Sequence, residues 1–123
     1  MKPDKKDFYI DDQGVIREKL LGVVDEEFIN GIQELVTPLI QQLRSQNKPI
    51  LILADASQVG KSTTGGRKAS LEMLKTLGHD KIAQYGLKPY LTTLTNIITK
   101  ASGIKNVKVF AKKEDALNWL LAK

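Results

Sequence analysis

The densest group of chemically capable side chains lies between residues 55 and 68. Its members offer one carboxylate, hydroxyl groups, cations and a flexible backbone position: Asp55, Ser57, Gly60, Lys61, Ser62, Thr63, Thr64, Arg67 and Lys68. A carboxylate can orient a ligand or act as a base, hydroxyl groups can accept a phosphoryl group or cap a helix, and cations attract anions. The sequence therefore predicts a loop that binds a partner or a ligand.

Three residues within this segment match part of a phosphate-binding motif. Gly60-Lys61-Ser62 fits the end of G-x-x-x-x-G-K-[ST], but Asp55 occupies the position of the first glycine. Its carboxylate would repel phosphate, and no later strand ends in an aspartate that would hold magnesium. Nucleotide binding is thus the weaker alternative, and free amides at the start of the next helix leave simple anion binding open.

The hydroxyl groups have an ordinary interpretation beside the functional one. Ser62 and Ser57 are the candidate phosphoacceptors, whereas capping and turn formation are the ordinary and favoured interpretation of Ser57, Ser62, Thr63 and Thr64. For Asp55 the ordinary role is to accept hydrogen bonds from nearby loop amides. Both interpretations stay open at this point.

Composition excludes several function classes. The 123 residues contain no cysteine and a single histidine, His79, which rules out thiolate chemistry and multi-histidine metal sites. The sequence thus predicts no metal and no cofactor. Without an apolar segment long enough to span a bilayer or a secretory leader, we expect a cytoplasmic protein that is not integral to the membrane.

The net charge of +5 conceals an asymmetry. Residues 1–60 carry seven Lys or Arg and ten Asp or Glu, whereas residues 61–123 carry twelve and four. The cations of the second half are mostly scattered lysines, and aromatic residues make up 6% of the chain. Neither arginine readout nor a base-stacking surface is visible, so we expect no nucleic-acid partner.

Hydrophobic spacing places these residues on a mixed α/β fold. A hairpin with its turn at Asp11–Gly14 precedes an amphipathic helix capped by Asp25. Because Pro38 removes one backbone donor, a kink or short break is predicted near Leu35–Thr37. Three strand–helix units follow, built on the strands Ile50–Ala54, Lys81–Tyr85 and Val107–Phe110. The pattern predicts one domain over residues 1–123, with about five strands, about four helices and a flexible tail at residues 1–6.

Three segments together resemble the SpoIIAA-like branch of the STAS family (sulfate transporter and anti-sigma factor antagonist). They are Asp55-Ala56-Ser57 after an apolar strand, the strand Lys81–Gly86, and Val109-Phe110 followed by Glu114–Leu120. The resemblance implies a STAS-like fold without catalysis, a role in regulation through a protein partner and, in this branch, similarity to CRAL-TRIO lipid-binding domains. Anti-sigma factor antagonists carry a phosphorylated serine in a D-S-S-G segment. Ser62 is the nearest match here, although the aspartate is absent.

Two functions follow as expectations. The first is a regulatory module that docks a protein partner through the loop and the following helix, switched by serine or threonine phosphorylation. The alternative is an apolar-ligand or lipid sensor, with a pocket near Tyr90, Leu94 and Trp119. Trp119 has a second interpretation as a core or dimer-contact residue, which leaves a homodimer open.

Overall fold

Five strands and four helices follow one another in the computed structural model, which describes residues 1–123. The strands are β1 (Tyr9–Ile10), β2 (Val15–Val24), β3 (Leu51–Ser62), β4 (Lys81–Tyr85) and β5 (Val107–Phe110). The helices are α1 (Glu26–Ser45), α2 (Thr64–Thr76), α3 (Pro89–Ala101) and α4 (Lys113–Leu121), with a short 3-10 helix at Lys5–Asp7. The sheet order is β1-β2-β3-β4-β5, antiparallel between β1 and β2 and parallel elsewhere. The predicted mixed α/β fold is confirmed.

The N-terminal hairpin is held by one carboxylate. Oδ1 of Asp11 accepts hydrogen bonds from the backbone N–H of Gln13 at 2.8 Å and of Val15 at 3.0 Å. Gly14 supplies the positive φ of +78° that the turn requires. The predicted turn at Asp11–Gly14 is therefore confirmed.

Helix α1 begins where its cap was predicted and continues through Pro38. The Asp25 carboxylate accepts a hydrogen bond from the Phe28 N–H at 2.9 Å. The predicted break near Leu35–Thr37 is wrong, because the helix is uninterrupted from Glu26 to Ser45. Pro38 and Glu34 are exposed. Water can therefore hydrate the Glu34 carbonyl that a proline at position 38 leaves without a donor.

Strand β3 is much longer than the apolar run that predicted it. The predicted loop over residues 55–66 is wrong, because the strand continues to Ser62 and α2 begins at Thr64. Strand β2 also extends to Val24 and pairs with β3 along this length, through two register shifts. Ala56 and Val59 remain buried in this extension, so packing and pairing stabilise a strand whose polar sequence resembles a loop.

The sheet has two unequally covered faces. The front face carries Ile16, Ile52 and Ile82 in one row across three strands and contributes to the main core with α1, α2 and α3. The back face carries Val15, Leu53 and Ala83, which pack with Ala116 and Leu120 of α4. Alternate residues of each strand thus point to opposite layers.

The residues predicted as a flexible tail lie against α1. Pro3 packs on Gly31, and the N-terminal ammonium is 3.5 Å from Oε2 of Glu27. The ion pair is exposed on both sides and contributes little to stability.

Candidate ligand-binding site

A cavity of about 150 Å³ lies between the front face of the sheet and helices α1, α2 and α3. We call it the front cavity. Seventeen of its 25 lining residues are hydrophobic. They include Leu71 and Leu74 of α2 and Leu91, Leu94 and Ile98 of α3. Apolar walls on a space of this size are typical of a site for a small apolar molecule, since a cavity of comparable volume admits benzene.

Two polar side chains interrupt the apolar floor of the front cavity. Glu18 of β2, Ala54 of β3 and Gln84 of β4 are paired in one row of the sheet, and all three line the cavity. The small Ala54 leaves room between its longer neighbours. The floor therefore offers hydrogen-bonding groups to a ligand whose remaining surface is apolar.

Burial raises the pKa of Glu18 to about 7. No salt bridge involves this carboxylate. By accessible surface Glu18 is only half-buried, but its neighbours on the same side of β2, Ile16 and Leu20, belong to the core. The accessible part of Glu18 thus faces the cavity rather than bulk water, which explains why the charged form is disfavoured. At neutral pH the side chain is poised between a neutral acid, which can donate a hydrogen bond, and a carboxylate.

One end of the front cavity is bounded by residues from the predicted binding segment. Ser62, Gly66 and Arg67 are among its lining residues. The Arg67 guanidinium donates hydrogen bonds to the carbonyl and to Oγ of Ser62, both at 3.0 Å, and to Oγ1 of Thr64 at 3.3 Å. These contacts fix Arg67 across the junction between β3 and α2 and place a cation at the rim of an apolar space.

The remaining residues of the predicted segment divide by role. Oγ1 of Thr63 accepts a hydrogen bond from the Gly66 N–H at 2.9 Å and caps α2. Gly60, Lys61, Thr64 and Lys68 are exposed. Gly60-Lys61-Ser62 belongs to β3, and Lys61 and Ser62 pair with Val23 and Val24 of β2, so this backbone does not form the loop that encloses phosphate in the motif it partly matches.

Asp55 and Ser57 lie apart from the front cavity. Oδ1 of Asp55 accepts hydrogen bonds from the Ser57 N–H at 2.9 Å and from the Ser57 hydroxyl at 2.6 Å. On the back face, Asp55 stands between Lys19 and Tyr85 in the strand register. Burial and the neighbouring Asp55 carboxylate raise the pKa of Tyr85. Asp55 therefore has the local role that the sequence offered as its ordinary interpretation.

The three residues predicted for an apolar pocket are separated. Leu94 lines the front cavity. Tyr90 is 63% exposed on α3, and Trp119 packs on the back face with the Phe110 ring at a centroid distance of 5.8 Å. A pocket therefore exists between sheet and helices, but only one of the three predicted residues lines it.

Sequence reasoning missed the polar floor. Glu18 shares its strand side with Ile16 and Leu20, and Gln84 shares its side with Ile82. A polar residue at an apolar position of an alternating strand is the signal that points to such a site. The sequence alone does not single out either residue, because each is one polar side chain in a strand and the two come from different strands.

The structure brings together no group of three or more His, Asp or Glu side chains that could hold a metal ion. None of the helices combines the length and apolar character needed to cross a bilayer.

Comparison with known proteins supports the fold. No model of a known protein family matches the chain, and no curated protein matches it. Among solved structures, it is similar to an uncharacterized protein of the DUF3478 family with a SpoIIAA-like fold, from Shewanella loihica. The TM-score is 0.58 at 20% sequence identity, over 92% of this chain and 89% of that one. The chain therefore has a SpoIIAA-like fold, as its residues led us to expect.

Proposed function

We propose that this protein is a non-enzymatic binding module whose front cavity holds a small, largely apolar molecule with one uncharged hydrogen-bonding group. The observation that carries the proposal is the combination of apolar walls with Glu18 and Gln84 on the floor. An isolated carboxyl group in an apolar cavity costs stability unless it has a partner. A ligand that hydrogen-bonds Glu18 would supply that partner.

The size of the front cavity sets the size of its ligand. At about 150 Å³ it accommodates a single aromatic ring or a short aliphatic chain. A longer amphiphile would fit only if α3 moved away from the sheet. The polar group of that amphiphile would then lie at Glu18 or at Arg67. The proposal therefore predicts tighter binding of compact probes than of long ones.

The experiment uses benzene as the probe, with the full chain labelled at its methyl groups. We expect benzene to shift the methyl resonances of residues such as Leu94 and Ile98 and to raise the melting temperature. Thr95→Trp, which places an indole in the cavity lining, should abolish both effects. Thr93 is exposed on the same helix, so Thr93→Trp is the matched control and should leave both effects unchanged. Absent shifts, or equal behaviour of the two variants, would refute the proposal.

Docking of a protein partner at the β3–α2 junction is the second candidate. It is supported by the arrangement of this junction, where Ser62 and Arg67 line the cavity while Lys61 and Lys68 face solvent. A partner bound to these lysines would thus contact the rim of the ligand site. Phosphorylation at Ser62 would place its charge beside Arg67, which bonds that hydroxyl.

Charge reversal tests this second candidate. A partner recovered with the intact chain should be lost with the double variant Lys61→Glu, Lys68→Glu. It should be retained with Lys48→Glu, Lys75→Glu, which reverses two exposed lysines elsewhere. Equal recovery with both double variants would exclude docking at this junction.

A further inference from the structure

The row of the sheet that holds Glu18, Ala54 and Gln84 limits which ligand group the front cavity can bind. Glu18 and Gln84 lie on the strands at either side of β3, and Ala54 separates them. Their α-carbons are therefore two strand spacings apart, about 10 Å. Two side chains of this length can approach a common point above the methyl group of Ala54. One ligand atom at that point would contact both polar groups.

The lining of the front cavity offers no free positive charge to an ionised Glu18. Helices α1 and α3 contribute only uncharged side chains, and Arg67 of α2 is the one other ionisable group. Its guanidinium is held by Ser62 and Thr64 at the β3–α2 junction. Desolvation alone raises the pKa of Glu18, without an opposing hydrogen bond or charge. A ligand that covers the rest of this carboxyl group will therefore favour its neutral form further.

We propose that the front cavity binds a small aromatic or alicyclic ketone, whose oxygen accepts hydrogen bonds from the carboxyl group of Glu18 and the amide N–H of Gln84. This inference rests on the proposed ligand function and specifies the chemical class of the ligand. A carboxylic acid kept neutral by an apolar site donates a hydrogen bond and needs an acceptor there. A ketone oxygen has two lone pairs and no donor of its own, and the remainder of the molecule suits the apolar walls.

Other polar groups fit this pair of donors less well. A carboxylate would bring a second negative charge into an apolar site beside Glu18. A primary amine is protonated at neutral pH, so its binding would require an ion pair without water around it, which costs the desolvation of both charges. The alcohol that corresponds to a ketone offers the same oxygen, but its additional O–H must find an acceptor of its own.

The test compares three probes of nearly equal size on the full chain. Acetophenone carries a carbonyl oxygen, 1-phenylethanol carries a hydroxyl group, and α-methylstyrene has a methylene group in place of the oxygen. Titrations at pH 6, followed by the methyl resonances of Leu94 and Ile98, give a dissociation constant for each probe. The ratio of the α-methylstyrene constant to the acetophenone constant measures the contribution of the oxygen, because the two molecules have the same shape.

Variants of the floor residues should change this ratio. Glu18→Leu removes a donor and keeps the bulk of the side chain, so it should lower the ratio at least about tenfold. Gln84→Leu should lower it about fivefold, whereas Glu18→Gln retains an N–H donor and should preserve it. Thr99→Val is the matched control, since it replaces another polar residue of the lining at equal size and should leave the ratio unchanged.

The pH dependence of binding provides a second readout. The pKa of Glu18 is about 7, so acetophenone should bind the unaltered chain more weakly as pH rises from 7 to 9. In Glu18→Gln its dissociation constant should be independent of pH over this range. A dissociation constant that does not change with pH in the unaltered chain would overturn the role of Glu18 as the donor.

Benzene separates this inference from the proposed function, because it has no hydrogen-bonding group. If benzene binds and the ratio is the same in Glu18→Leu, Gln84→Leu and the unaltered chain, recognition of a carbonyl group is refuted while the cavity remains a ligand site. If 1-phenylethanol binds more tightly than acetophenone, the floor selects hydroxyl groups and the inference is likewise refuted. If neither benzene nor acetophenone binds, the proposed function fails as well.

Discussion

Gly66, in the first turn of α2, packs directly on the backbone of Val24 at the end of β2. A β-carbon at position 66 would overlap the Val24 carbonyl oxygen, and it would lie 2.9 Å from the carbonyl carbon and 3.0 Å from the α-carbon of Asp25. The same Val24 oxygen accepts a hydrogen bond from the Thr63 N–H at 3.1 Å. This contact fixes where β3 ends and α2 begins.

Gly66→Ala should lower the free energy of unfolding by about 1–3 kcal/mol, because the atoms it meets are backbone atoms that cannot rotate away. Gly65→Ala is the matched control on the same helix. Its β-carbon would have no neighbour closer than 3.8 Å, so it should stabilise by up to about 1 kcal/mol. Urea denaturation measures both variants, and equal effects would contradict the packing role of Gly66.

The contrast between these two glycines shows which structural features can be predicted from the sequence and which cannot. Side-chain spacing predicted the element order and the cap at Asp25, since these depend on residues close together in the chain. It did not predict that Gly66 touches Val24 or that β3 continues to Ser62, because both depend on a distant segment, the extension of β2.

The residues of the candidate site likewise fall into two groups, those that the sequence predicted and those that it did not. Ser62 and Arg67 were identified from their types, and they do border the front cavity. The floor residues Glu18 and Gln84 come together only through the pairing of β2 and β4 with β3. In the sequence each of them is only a single polar residue at an apolar position of a strand. The second polar residue of the cavity floor lies in another strand, so the sequence does not reveal that the two line one site.

The buried carboxyl group of Glu18 should make stability depend on pH. Its pKa is raised from 4.5 to about 7, so between these values the folded state holds a proton that the unfolded state has released. The free energy of unfolding therefore falls as pH rises from 4.5 to 7, by up to about 3 kcal/mol, and is then constant with respect to this group. Glu18→Gln should remove this slope and be more stable than the unaltered chain at pH 8.

The control for this prediction is Glu34→Gln, which alters an exposed carboxyl group on α1. It should retain the slope of the unaltered chain. Denaturant titrations at several pH values provide the comparison. A slope that persists in Glu18→Gln would show that the raised pKa belongs to another group.

The carboxylate of Asp11 in the hairpin should make stability depend on pH in the opposite direction to that of Glu18. Burial opposes its ionisation, but hydrogen bonds from the Val15 amide, the Arg17 side chain and the Gln13 amide outweigh burial and lower its pKa from 3.8. Its contribution to stability is therefore present above pH 3.8 and lost as pH falls through the lower folded value. Asp11→Asn should cost about 1–2 kcal/mol at pH 7, a difference that disappears in acid.

The neighbouring Asp12 provides the control for Asp11. It is exposed, so Asp12→Asn should change the free energy of unfolding by less than about 0.5 kcal/mol. Arg17 is involved through its Nε, which lies 2.8 Å from Oδ2 of Asp11. If Asp11→Asn lowered the free energy of unfolding by the same amount at pH 7 and at pH 3, the negative charge of Asp11 would contribute nothing to stability.

The docking of α4 on the back face should depend on Lys81 more than on Lys108. Both ammonium groups lie near the Trp119 ring, at 5.3 and 5.5 Å from its centroid. Only Lys81 also donates hydrogen bonds to the last carbonyls of the helix, to Trp119 at 2.9 Å and to Ala122 at 2.8 Å. A cation at a helix C-terminus stabilises the helix dipole and satisfies carbonyls that have no partner within the helix.

Lys81→Met should therefore lower the free energy of unfolding by about 2 kcal/mol, and Lys108→Met by at most about 1 kcal/mol. The fluorescence of Trp119, the single tryptophan, follows unfolding of both variants, and equal costs would show that the ring contact outweighs the two hydrogen bonds.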